Sequence, residues 1–120
     1  MTTEIQNDES SQDHGNEVFV FIERITPTEG RADDVLEISV KSSNALRGQP
    51  GLLQALVTKP EKSGGEIVSI TTWKNKAAFQ AFMKTDVMAE LLKSDDMANI
   101  KKWMREYNMH MNQMVDGWHS

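Results

Sequence analysis

Residues 18–25 (VFVFIERI) constrain the fold more than any other stretch, because both alternating sets of side chains are apolar. Successive side chains of an extended strand point to opposite faces, so Val18, Val20 and Ile22 share one side and Phe19, Phe21 and Ile25 the other. Such a strand needs cover on both faces of its sheet. Thr26-Pro27-Thr28-Glu29-Gly30 then closes the run with turn-forming residues.

The rest of the chain supplies that strand with partners. Across residues 31–46, Ala32, Val35, Ile38, Ser39, Ser42, Ala45 and Leu46 fall within one arc at helical spacing, and Arg47-Gly48-Gln49-Pro50 stops the helix. Pro50-Gly51 opens a second strand at residues 52–59, and Ser63-Gly64-Gly65 turns it into a third at residues 66–73. Asn75 can cap a helix whose apolar arc is Ala78, Phe79, Phe82 and Met83; a break near Thr85 follows, with Asp86 as cap of the next turn. After Ser94-Asp95-Asp96 the pattern is ambiguous. Met97, Ile100, Met104, Tyr107, Met111 and Met114 continue at helical spacing, while residues 108–115 also alternate as a strand would. A short helix followed by a terminal strand is the chosen reading. The order is then β-α-β-β-α-β, an α+β ferredoxin-like split βαβ arrangement with an antiparallel sheet and helices on one face. One helix layer covers one face only. An identical sheet is the simplest cover for the other, which predicts a homodimer.

A chain of 120 residues suits one core, and 38% hydrophobic with 26% charged residues fits a soluble globule. Residues 1–16 carry Glu4, Asp8, Glu9 and Asp13 with no Lys or Arg, and so read as a disordered acidic tail before a domain at 17–120. Removing those four acids from the total of 18 leaves 14 against 13 basic residues, too balanced for a nucleic-acid partner. Absence of Cys excludes disulfides and thiolate chemistry. No window approaches the ~20 apolar residues of a membrane span, so the expectation is a cytoplasmic protein with no membrane partner. His-rich metal spacing, phosphate loops and nucleophile elbows are all missing.

Several residues carry candidate chemistry. Glu23 stands in an apolar strand on the Phe19, Phe21 and Ile25 side; beside a cleft, desolvation would raise its pKa toward a general base's range, and otherwise it would pair with a neighbouring Lys or Arg. His110 is the one His in a structured context and could shuttle a proton if it faced the same cleft, with Asn112 on its alternate side to orient a polar group. Phe21, Trp73, Phe79, Phe82, Trp103 and Tyr107 would either wall a ligand site or fill the core. Ser39 and Ser42 line a cavity or bond back to their own helix. Five of the eight Met residues lie after residue 96, suiting an adaptable pocket or an ordinary core equally.

The run IVSITTWKNKAAFQAFMKTDV at residues 67–87, with Pro50-Gly51-Leu52 and Pro27-Thr28-Glu29-Gly30-Arg31 before it, resembles the antibiotic biosynthesis monooxygenase-like domains over residues 17–93. The resemblance implies a dimeric α/β barrel. It also implies one of three activities: cofactor-independent oxidation of quinols or anthrones with molecular oxygen, heme degradation, or no assigned reaction. Trp73-Lys74-x-Lys76-x-Ala78-Phe79 is most similar to the heme-degrading branch, whose Asn, Trp and His are replaced here by Glu23, Phe82 and Leu92. An aliphatic Leu92 cannot ligate iron. What the resemblance then implies is a cofactor-independent monooxygenase taking an aromatic or quinol-type hydrophobic substrate through Glu23 or His110. The alternative is a non-catalytic dimeric binder of a hydrophobic molecule such as heme.

Overall fold

The computed structural model describes residues 17–118; the expected acidic tail at 1–16 lies outside them. The chain runs β1 (Phe19–Pro27), α1 (Ala32–Ala45), β2 (Leu52–Thr58), β3 (Ile67–Trp73), α2 (Lys76–Met83), α3 (Asp86–Lys93), α4 (Asp95–Trp103) and β4 (Met104–Gln113). The four strands form one sheet of order β2-β3-β1-β4 with every neighbouring pair antiparallel, the split βαβ topology expected from the order of elements. No helix among the described residues is long and apolar enough to cross a membrane.

Two boundaries differ from the sequence expectation, and each has a local cause. Strand β4 begins at Met104 rather than near residue 108, so Met104 and Tyr107 are strand residues. β1 is long enough to pair along the whole of β4, from Phe19 against Gln113 to Pro27 against Met104, and the gain of a full ladder outweighs the helical spacing of the methionines. The Thr28 N–H also donates to the Trp103 carbonyl at 2.7 Å, which holds the end of α4 at that point. In the second case Thr85, not Asp86, caps α3: its hydroxyl accepts from the Met88 N–H at 3.2 Å and donates to the Phe82 carbonyl at 2.7 Å.

The inner sheet face and the helices enclose two separate apolar clusters. One joins Ile25, Val35, Ile38, Ile67 and Ile100, and the other joins Phe19, Trp73, Phe79 and Phe82. Phe79 is the hub of the second, with its ring centroid 4.9 Å from those of both Phe19 and Phe21 and 5.7 Å from Trp73 in an edge-on contact. Gly51 admits the close approach of α2 to the start of β2. Its φ is +82°, and a Cβ there would stand 2.5 Å from the Ala78 Cβ.

Candidate active site

Between the two clusters the inward-facing side chains change character. On β1 the inward sequence is Phe19, Phe21, Glu23, Ile25, and on β3 it is Trp73, Thr71, Ser69, Ile67, because register pairs Phe21 with Thr71 and Glu23 with Ser69. α1 changes in the same way, with Ser39, Ser42 and Ser43 between Ile38 and Leu46. Small and polar side chains at one level of three elements cannot close-pack as the flanking clusters do. A cavity of about 380 Å³ results. That is within the range of about 300–1,000 Å³ typical of small-molecule sites.

Most of the wall is apolar. Phe21, Trp73, Phe79 and Phe82 form its aromatic end, with Met88 and Leu91 beside them, while Ile25, Met97, Ile100 and Met104 form the opposite end. Leu56, Met83, Leu92, Tyr107 and Met109 line the cavity and are also exposed, so it opens to solvent past residues of β2, α2, α3 and β4. Among the described lining residues Glu23 is the one carboxylate and Lys101 the one cation.

Glu23 meets a phenol rather than the Lys or Arg of the salt-bridge expectation. The Tyr107 hydroxyl donates to its Oε2 at 2.5 Å, a short charge-assisted bond, and no other side-chain hydrogen bond to Glu23 occurs among the described residues. Adjacent strands bring the two together: Tyr107 pairs with Ile25 and Met109 with Glu23, so all four project to the inner face. Burial, then the hydrogen bond to Glu23 and its charge, push the Tyr107 phenol above its ordinary pKa. Its hydroxyl therefore keeps its proton and remains a donor.

The structure brings together Glu23, Phe21, Ser39, Ser42, Trp73, Phe79, Phe82, Leu92 and Tyr107 around this cavity. Three expected members stand elsewhere. His110 and Asn112 pair with Ile22 and Val20, so the strand pleat sends them to the outer sheet face, away from Glu23. Trp103 packs against the isoleucine cluster under the Arg31 guanidinium, which lies 4.5 Å from its ring centroid. Ser69, Thr71, Ser43, Met104 and Lys101 were not singled out from the sequence. The two β3 hydroxyls were detectable as polar breaks in the inward pattern of an apolar strand.

A family model for antibiotic biosynthesis monooxygenases matches residues 18–94. The chain belongs to the antibiotic biosynthesis monooxygenase family. Among curated proteins no relative matches. Similar solved structures include protein SO0527 from Shewanella oneidensis, with a TM-score of 0.68 at 9% identity over 82% of this chain and 92% of that one. PA3566 from Pseudomonas aeruginosa is similar too, with a TM-score of 0.68 at 14% identity over 86% of this chain and 99% of that one. SnoaB, a cofactor-independent oxygenase from Streptomyces nogalater, aligns with a TM-score of 0.66 at 12% identity over 84% of this chain and 96% of that one.

Within the antibiotic biosynthesis monooxygenase family, this cavity is a poor match to heme. No His or Cys lines it among the described residues, His110 faces the other way, and Tyr107 holds its proton instead of offering a phenolate. No group of three His, Cys, Asp or Glu side chains able to hold a metal ion occurs among the described residues.

Proposed function

We propose that this family member is a homodimeric, cofactor-independent monooxygenase acting with molecular oxygen on an aromatic, quinol-type or anthrone-type substrate. The observation that supports it is a carboxylate, alone among the described lining residues of an apolar cavity, that accepts a hydrogen bond from the Tyr107 phenol. In this reading Glu23 Oε1 takes the phenolic proton, and the resulting anion is rich enough in electrons to reduce oxygen directly. Tyr107 holds Oε2 and so fixes the direction of Oε1. A bond then forms between oxygen and the activated ring carbon, and the peroxide anion takes the proton back from Glu23. Loss of water from the hydroperoxide leaves a ring carbonyl. The net change, a phenolic O–H, a ring C–H and O₂ becoming two ring C=O groups and H₂O, needs no external reductant because the substrate supplies all four electrons. The aromatic wall stacks on the ring system and excludes water.

Oxygen uptake with 1,8-dihydroxyanthrone, above the protein-free background, tests this reading. Wild-type protein should accelerate uptake, and Glu23→Gln should lower it by at least ~100-fold, the low end of general-base contributions, while binding persists. Undiminished uptake by that variant removes Glu23 from the role. Binding without uptake by the wild type would leave the second reading, a binder of hydrophobic molecules, which the same apolar cavity supports.

The homodimer part of the proposal rests on the outer sheet face. Val20, Ile22, Val68 and Ile70 lie there by register and belong to neither core cluster. A second copy of the same face is a self-complementary cover.

A further inference from the structure

Among the described residues five methionines line the cavity, and they differ in how far solvent reaches them. Met88, Met97 and Met104 are half-buried and pack against the two apolar clusters. Met83 on α2 and Met109 on β4 are 44% and 52% exposed, so these two side chains border both the cavity and solvent. Met111 and Met114 are as open, at 52% and 41%, but are not among the described lining residues. Register pairs Met109 with Glu23, and directly facing strand residues hold their Cβ atoms about 4.5–5.5 Å apart. The Met109 side chain therefore starts beside the carboxylate of the site. With no Cys anywhere in the chain, thioethers are its readily oxidised sulfur.

We propose that Met83 and Met109 form a reversible oxidation site, at which hydrogen peroxide converts two rim thioethers to sulfoxides and so weakens the cavity's hold on an apolar ligand. The inference rests on the cavity's holding an apolar aromatic molecule, as proposed above, and not on the reaction that molecule undergoes. In each step the peroxide O–O bond breaks and one oxygen bonds to sulfur, while the other leaves as water with both protons. Sulfur loses two electrons and the peroxide gains them. The sulfoxide is a polar group with a hydrogen-bond-accepting oxygen, and a ligand that covers it strips its water. No spare donor is at hand on that strand face, because the Tyr107 hydroxyl is already given to Glu23. Enzymatic reduction of the sulfoxides reverses the change.

The full chain, treated with dilute hydrogen peroxide and then freed of it, is mapped by peptide mass spectrometry and titrated anaerobically with 1-naphthol by calorimetry. Met83 and Met109 should oxidise ahead of the half-buried Met88, Met97 and Met104, and the affinity should fall by roughly tenfold, the order expected for one polar group left unpaired. Treatment with methionine sulfoxide reductases for both sulfoxide epimers should restore it. A chain carrying the volume-conserving changes Met83→Leu and Met109→Leu should keep its own affinity through the same treatment. A chain carrying Met111→Leu and Met114→Leu should lose affinity as the wild type does. 1-Naphthol present during the treatment should slow oxidation of Met109 and leave that of Met111, equally exposed on the same strand, unchanged. Resistance of Met83 and Met109 to oxidation, unchanged affinity once they are oxidised, or an equal loss in the Met83/Met109 variant overturns the proposal. Failure of 1-naphthol to bind the untreated protein overturns the occupancy reading, and this inference with it.

Discussion

At the residue scale the Glu23–Tyr107 pair is the feature with measurable consequences beyond turnover. Burial and the carboxylate favour the protonated phenol in the folded protein, so its pKa there lies above the ordinary value near 10. A folded-state pKa raised above the unfolded one means that the native state binds more protons above that pH. The stabilisation is therefore complete below about pH 10 and is lost as pH rises further. Thermal melts from pH 8 to 12 should show wild-type stability falling more steeply above pH 10 than that of Tyr107→Phe, which has no proton to lose. Parallel curves would mean that the pair does not persist in solution. Glu23 was legible in the sequence because a carboxylate interrupts an apolar strand. Its partner was not: Tyr107 read only as one aromatic of a possible cage, since 84 residues separate the two and only strand pairing joins them.

At the element scale one device recurs at the joints of the helical layer. Ser94 repeats the action of Thr85, accepting from the Met97 N–H at 3.2 Å and donating to the Leu91 carbonyl at 2.7 Å, so one hydroxyl ends each helix and starts the next. These joints turn α2, α3 and α4 over the cavity and set the mouth. Thr85→Val keeps the side chain's shape and removes both bonds. It should destabilise the protein by about 1–2 kcal/mol, measurable in urea unfolding. A loss below a few tenths would mean that water or the backbone replaces the hydroxyl. Helices α1 and α2 and strands β1 to β3 were legible within a residue or two, because their apolar periods are unambiguous and Pro, Gly or Asn marks their ends. The α4–β4 boundary was not, because Met97, Ile100, Met104, Tyr107, Met111 and Met114 keep helical spacing while Met109, Met111 and Val115 also alternate as a strand would.

At the scale of the whole molecule the sheet divides the chain's apolar surface into two. Its inner face is covered by helices, and its outer face carries Val20, Ile22, Val68 and Ile70, which pack into neither cluster formed by the described residues. Sedimentation equilibrium should give a dimer for the wild type. Ile22→Lys, which sets a like charge on the two-fold seam, should shift it to monomer and make the melting temperature independent of concentration. A wild type that is monomeric at micromolar concentration would refute the shared face.

Sequence alone determined the element order, and with it the split βαβ topology, because short apolar runs with punctuated ends leave few chain paths. It also determined that both sheet faces are apolar, since strand alternation is a local property. Only the tertiary structure decided where the cavity lies, because it forms where polar residues of β1, β3 and α1, far apart along the chain, come to one level between two packed clusters. The same holds for His110, whose face depends on a one-residue choice of strand register that no local pattern specifies.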